Sequence, residues 1–481
     1  MNNESPNISK IPEEYNSGVA AYLYGYPLVL LGVTEQGGIN SPQTPTSGAS
    51  PLNQFGQQTK FPDSSFTGVV LPSTSTLYSS AFLNLSAEPV ILHLPDFGNR
   101  FFILPLLDGW TNVNQNSLGT RYGSQEGDYV LVGPDQAGDS TDYGGRTVIQ
   151  MNTNTVWIIG RVFTDGTQSD LDAIQKDIYP KLTLTPWSKR LDPLYSPPAN
   201  LPFDPIVDTL DTPPAQVNAM NASTFFSKMA AMMRNNPALR PQDDAMLLLL
   251  KKIGFTFDPV VAFPLGETDP TLESEVDQAR KILSVKPVSD DSGTNYWNFP
   301  TAEYLGNFGI HYRYRAMIAR WALGANLVQD VVYGYSRQDS TSATLSGANK
   351  YTLTFNPLPP VSPNGFWSVT IYNGNGTLVN NDNPGADYSA IGCAGDNFTL
   401  QGHTAQPSQD GKSITLYLQP SPPEDPAQLA NWLPIPNNQE LTKTLEFIVF
   451  LRMYIPCLED KVVDGKYVVE GNWVPPGIML A

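Results

Sequence analysis

Short apolar runs cut by turn-forming residues dominate residues 66–165. The runs FTGVVLP, TLYSSAFLNL, EPVILHLP, RFFILPLLD, DYVLVGP, GRTVIQM and TVWIIGRVF are rich in Val, Ile, Leu and aromatic residues. Runs of this length, bounded by Gly, Pro, Asn and Ser, read as β-strands, because branched and aromatic side chains pack well on a pleated surface. Ser86-Ala87-Glu88-Pro89 and Asp96-Phe97-Gly98-Asn99 read as hairpin turns, and MNTNT as a further tight turn. About seven strands in this stretch predict an antiparallel sheet or sandwich.

The middle of the chain has a helical period. TQSDLDAIQKDIYPKL carries a Ser169/Asp170 cap and apolar residues at Leu171, Ile174 and Ile178. A Pro-rich stretch follows, and then helices are predicted over residues 223–233, 241–253, 270–284 and 312–327. In the third of these, acids come early and bases late, as the helix dipole prefers. The AMM and MLLLL stripes read as core. Near the start, VAAYLYGYPLVLLGV over residues 19–33 reads as a buried helix that bends or ends near Pro27, since proline lacks an N–H and clashes with the preceding turn.

From residue 330 the texture is β again: KYTLTFNPLPP, GFWSVTIYNGNGTLVNN, SITLYLQ and LEFIVFLRMYIP. Asn373-Gly374-Asn375-Gly376 is a strong hairpin signal, and QDGK is another. The expected fold is mainly β with a helical middle, an α+β multidomain chain. Its parts are a flexible arm at 1–18, an antiparallel β-sandwich-like domain with a leading helix at 19–165, a helical and Pro-rich connection at 166–328, and a jelly-roll-like β domain at 329–481.

Composition agrees with many strands and turns, since Gly and Pro supply 38 and 43 of the 481 residues. Charge narrows the partners. Lys plus Arg number 28 against 46 for Asp plus Glu, a formal net charge of −18. Nucleic acids and anionic lipid surfaces need basic patches, so neither is an expected partner. The apolar run at 19–33 is shorter than the roughly 20 residues of a membrane span. No basic n-region precedes it, so neither a span nor a secretory signal is expected and localisation is left open. The two cysteines, Cys393 and Cys457, and the three histidines, His93, His311 and His403, lack metal-ligand spacing. The Gly374/Gly376 pair lies in a hairpin rather than between a strand and a helix, so no dinucleotide or phosphate loop is indicated. No cofactor is expected.

AYLYGYPLV, LYSSAFLNLSAEPVILHLPDFGNRFFILPLLDGWTNV, GDYVLVGP and TVWIIGRVFTDG resemble the N-terminal family called domain of unknown function 1254. GANLVQDVVY, YTLTF, FWSVTIYNGNGTLVNN, NWLPIP, LRMYIP and NWVPPGI resemble its usual C-terminal companion, domain of unknown function 1214. The resemblance implies a β-rich N-terminal domain, a helical connection and a jelly-roll-like C-terminal sandwich; it implies no settled activity. Members usually read Asn-x-Asp-Thr-Leu-Tyr where this chain has Ser73-Thr74-Ser75-Thr76-Leu77-Tyr78. Ser73 and Ser75 therefore stand in place of the family's Asn and Asp. Asp387 replaces the family's Arg before Tyr-Ser, and Ala390 is an insertion within YSAIG.

The densest chemistry lies between Leu104 and Arg121. Asp108, Trp110 and Asn112 are two apart, so on a strand they share a face. Asp108, Arg121 and Tyr78 are the candidate catalytic groups: a carboxylate for acid–base work, a guanidinium clamp and a phenol from an adjacent strand. Trp110 and Asn112, with Trp367 and Tyr388 from the C-terminal part, are the candidate ligand-binding groups. The competing reading is a buried polar network in which Arg121 pairs with Asp108 or Asp128. A second aromatic and polar set, including Tyr372, Trp432, Arg452 and Trp473, suits carbohydrate stacking or a structural cation–π contact. Nucleophile motifs such as GxSxG and SxxK do not occur. The sequence thus favours a protein that handles a small molecule or carbohydrate between two β domains, with a hydrolase-like enzyme as a special case. The alternative is a structural, surface or self-associating protein.

Overall fold

The computed structural model describes residues 15–64, 71–136, 138–197, 211–264, 266, 269–285, 294–379, 393–395, 399–400, 403–404, 407–408, 410–437 and 445–481. The chain is mainly β, built from several largely antiparallel sheets with helices added.

In the N-terminal half one sheet runs in the order Gly56–Gln57, Thr76–Asn84, Thr155–Phe163, Phe102–Leu104, Leu118–Gly119, and Leu106–Asp108 also pairs with Thr155–Phe163. A second sheet runs Thr183–Pro186, Val90–Leu94, Gly127–Val132, Thr147–Gln150, its last pair parallel. Leu77 and Ile158 of the first sheet and Leu92 and Leu131 of the second lie in one buried core. SAEP and PDFGN are expected as hairpin turns and MNTNT as a tight turn. Each instead carries the chain from one sheet to the other, since the strands on either side pair with different partners. Turn residues reverse the chain; which strand the next one pairs with is set by which face it can bury.

The C-terminal half repeats the scheme. A third sheet runs Trp297–Asn298, Val331–Ser336, Phe447–Pro456, Val361–Asn373, Cys393–Gly395. A fourth runs Trp432–Pro434, Ile414–Gln419, Tyr351–Phe355, Met479–Leu480. Leu353, Leu416, Trp367 and Leu451 close one core between them. The Asn373 turn forms as predicted: Gly376 N–H donates to the Asn373 carbonyl at 2.9 Å, and Gly376 takes a φ of 86°, which glycine adopts without Cβ strain.

The helices form a separate packing unit around Ser17–Asn40. Helices Pro213–Ala219, Ala222–Met233, Asp244–Lys252, Pro270–Ser284 and Tyr312–Ala322 all lean on it, and it is buried from Gly18 to Val33. The helix does not end near Pro27 but runs on to Asn40. Helix neighbours hold the segment on every side, so packing outweighs the lost hydrogen bond, and Arg315 Nη2 donates to the Tyr24 carbonyl in the disturbed turn at 3.3 Å. Gly25 and Gly32 allow the close approach of Ala222–Met233: a Cβ at either would lie 2.3 Å from Met229 or Met232. By length and composition this helix could cross a membrane, yet 89% of its apolar window is buried inside the protein. The predicted helix at 312–327 stops at Ala322, and the one at 241–253 starts at Asp244. The helix near Ser169 starts at Gln168, capped by the Thr167 hydroxyl, and ends in a π-helical turn, Ile174–Ile178.

The two β halves meet face to face. Phe101 and Phe163 from the N-terminal half contact Phe366 and Tyr454 of the third sheet, with ring centroids 4.7–5.2 Å apart. This seam between the first and third sheets contains the polar network described next.

Candidate functional site

Asp108 ends the Leu106–Asp108 strand, 2% exposed. Its Oδ1 accepts the backbone N–H groups of Trp110 and Asn112, each at 2.9 Å, and the Asn112 amide reaches both carboxylate oxygens at 3.2–3.3 Å. The carboxylate thus closes its own turn, with Thr111 at a φ of 70°. Burial pushes the Asp108 carboxyl up, against the opposing hydrogen bonds of Asn112 and the field of Arg315. Trp110 is fully buried, donates Nε1–H to the Pro237 carbonyl at 2.9 Å, and packs against Tyr24.

Arg121 bonds neither Asp108 nor Asp128. It pairs with Asp330, a buried carboxylate that also accepts the Tyr122 hydroxyl at 2.9 Å. Asp128 pairs with His93 and Arg146 instead. Spacing could not reveal this, because Asp330 is 209 positions away in the chain. Asp108 and Arg121 thus serve different networks. Trp367 is buried in the core of the third and fourth sheets, 5.0 Å from Phe355 by ring centroids. Tyr388, Asp387 and Ala390 lie outside the described residues.

Tyr78 leads to a different assembly. It sits directly opposite Arg161 in the first sheet, with the guanidinium 5.3 Å from its ring centroid. Across the seam, Tyr333, Arg452 and Ser368 form one cross-strand row of the third sheet. Arg452 Nη1 donates to Thr370 Oγ1 at 3.2 Å; Nη2 donates to the Tyr372 hydroxyl at 2.7 Å and the Leu71 carbonyl at 3.0 Å. Arg161 Nη1 donates to the Ile159 carbonyl at 3.1 Å and to Asn326 Oδ1 at 3.4 Å; the Asn326 amide in turn donates to the Tyr333 hydroxyl at 2.8 Å. The Thr74–Ser75 segment lies in the same seam. Ser75 Oγ is 3.4 Å from Ser368 Oγ, and Thr74 Oγ1 is 3.4 Å from Thr370 Oγ1.

Arg161 and Arg452 are 6% and 3% exposed. Burial alone would lower both guanidinium pKa values. Neighbouring phenols more than offset it: Tyr333, Tyr78 and Tyr454 around Arg161, and Tyr372, Tyr454 and Tyr78 around Arg452, so both stay above the ordinary value and remain charged. Burial likewise pushes the Tyr333 phenol up to about 12, so it remains a hydrogen-bond donor at neutral pH.

Sequence reasoning placed Arg452 in an aromatic set and passed over Arg161. The available signal was one charge within an otherwise apolar strand, in TVWIIGRVF and again in FIVFLRMYIP. A buried arginine in such a strand needs partners from elsewhere in the chain, here Asn326 for Arg161 and Leu71 for Arg452.

Two β-rich halves joined through a polar seam, with a helical unit around one long helix, define the architecture. The chain belongs to the two-part family its motifs resemble: residues 52–186 match the family described as protein of unknown function DUF1254, and residues 330–457 match protein of unknown function DUF1214. The fold is similar to the crystal structure of the VPA0106 protein from Vibrio parahaemolyticus, at 19% identity and a TM-score of 0.64, covering 97% of this chain and 99% of that one. An uncharacterised protein from Burkholderia cenocepacia aligns over 96% of this chain and 87% of that one, at 13% identity and a TM-score of 0.44. No curated protein matches the chain.

Proposed function

We propose that the protein binds a small polar molecule in the seam between its two β halves. In this reading the paired sheets act as two sandwiches, the C-terminal one jelly-roll-like, and the seam is the cleft between them. One observation carries it: Arg161 and Arg452, on facing sheets, are buried and share Tyr78 and Tyr454 as neighbours, beside the Ser75–Ser368 contact. Ionised groups are costly to bury, so such clusters gather where a ligand is recognised.

Binding rather than hydrolysis is the favoured activity. The carboxylate in the network, Asp330, is already engaged by Arg121 and Tyr122, and Asp108 is enclosed in its own turn. The test is a thermal-shift screen of the full chain against neutral sugars, short carboxylates and phosphates, run beside Tyr78→Phe. A compound that raises the wild-type midpoint and loses its effect in Tyr78→Phe supports the seam. Equal shifts in both proteins for every active compound count against it. An ester and glycoside panel on wild type and Asp108→Asn separates catalysis from binding, since an Asp108-dependent rate would restore the hydrolase reading.

A further inference from the structure

The seam contains unbalanced charge. Arg121 has a carboxylate, Asp330. Asp330 also lies within the field of Arg161 without bonding it, whereas no carboxylate acts on Arg452. Every acceptor described for the two is a neutral oxygen, from the Ile159 and Leu71 carbonyls, the Asn326 amide and the Thr370 and Tyr372 hydroxyls. Neither forms an ion pair among the described residues. Two such charges in a chain of net charge −18 are not a consequence of basic composition. A guanidinium with only neutral acceptors keeps much of its desolvation cost, which an incoming anion offsets. Its planar fork fits the paired oxygens of a carboxylate or phosphate group.

We propose that the ligand held at this seam carries an oxyanion, a carboxylate or phosphate group, whose oxygens are shared by Arg161 and Arg452 beside Tyr78. This rests on the seam being a ligand site and adds the chemical class of the ligand. Position 75 is the specificity determinant. Ser75 Oγ faces Ser368 Oγ at 3.4 Å, and Ser368 is the register partner of Arg452. A hydroxyl there adds no charge beside Arg452; a carboxylate there would act as an internal anion and occupy the place of the external one.

Isothermal titration of the full chain decides the matter, using sodium acetate and inorganic phosphate separately in a chloride-free zwitterionic buffer at neutral pH. Saturable binding with one site per chain is expected for at least one probe, and the tighter of the two identifies the headgroup. Arg452→Lys keeps the charge but loses the fork, and should weaken binding at least about tenfold. Ser75→Asp should weaken it at least as much while raising the thermal midpoint. If Ser75→Asp fails to fold, Arg452→Lys alone carries the test. Titrations without saturable heat for either anion overturn the oxyanion assignment; a neutral sugar that still gives a Tyr78-dependent thermal shift would then leave the seam reading standing. Anion binding unaltered by the variants also overturns the assignment, because the ion would sit elsewhere.

Discussion

Arginines are buried in two regions of this molecule, and the regions treat them differently. In the helical unit, Arg315 is fully buried, with its guanidinium 5.2–5.4 Å from the ring centroids of Tyr24, Trp110 and Tyr312. Its Nη2 reaches the Tyr24 carbonyl, and Nε and Nη1 have no hydrogen-bond partner among the described residues. Carboxylates surround this cage. Asp243 accepts the Tyr24 hydroxyl at 2.9 Å and the Tyr312 hydroxyl at 2.8 Å, and Asp108 lies within the field of Arg315. The seam arginines have more hydrogen bonds to oxygen, and like Arg315 they have no bonded carboxylate among the described residues. Arg315 and Arg161 each have a carboxylate within their field, Asp108 and Asp330; Arg452 is the arginine on which no carboxylate acts.

That contrast breaks if the two regions respond alike to charge removal. Arg315→Met should be the most damaging change, costing about 3–5 kcal/mol, because it strands buried carboxylates. Arg452→Met should cost about 1–2 kcal/mol, the scale of its hydrogen bonds, since its acceptors are neutral. Urea denaturation of both variants measures the gap, and equal losses would mean the seam arginine is as structural as the caged one. Gly25→Ala sharpens the picture from the packing side. Its Cβ would fall on Met229 Sδ, so a loss of about 1–3 kcal/mol is expected, with anion binding at the seam unchanged.

The smallest effect concerns pH. Burial raises Glu35 to about 7 from an ordinary 4.5, only partly opposed by Lys228. A raised folded-state value favours the protonated folded form. That contribution is therefore complete below about 4.5 and is lost as pH rises through about 7. Wild type should lose about 1–2 °C of thermal midpoint from this group between pH 5 and 8, and Glu35→Gln should flatten that part of the profile. A variant with an unchanged slope would place the titration elsewhere. Asp108, also raised by burial, has the same sign: Asp108→Asn should ease the decline of stability at higher pH and leave seam binding intact.

Much of the architecture was legible along the chain. Short runs rich in Val, Ile, Leu and aromatic residues marked many of the strands, the helix at 270–284 was predicted at its observed limits, and Asn373-Gly374-Asn375-Gly376 formed its turn. Errors arose where local rules compete with packing. Pro27 did not stop a helix enclosed by others, and SAEP and PDFGN crossed between sheets instead of closing hairpins. At the candidate site, Tyr78 was legible as a phenol on a strand next to the departing Ser73–Ser75 segment, and its partner Arg161 was not.

What the sequence determined by itself was the kind of local element at each position, the acidic balance and the family motifs, all of which depend on neighbours a few residues apart. Which charges meet was decided by the tertiary structure. Arg121 found Asp330 from 209 positions away, and Arg452 took the Leu71 carbonyl from 381 positions away. The physical reason is that a buried charge is stabilised by whatever lies within a few ångströms in space, and along a strand-rich chain those neighbours come from distant segments brought together by sheet packing.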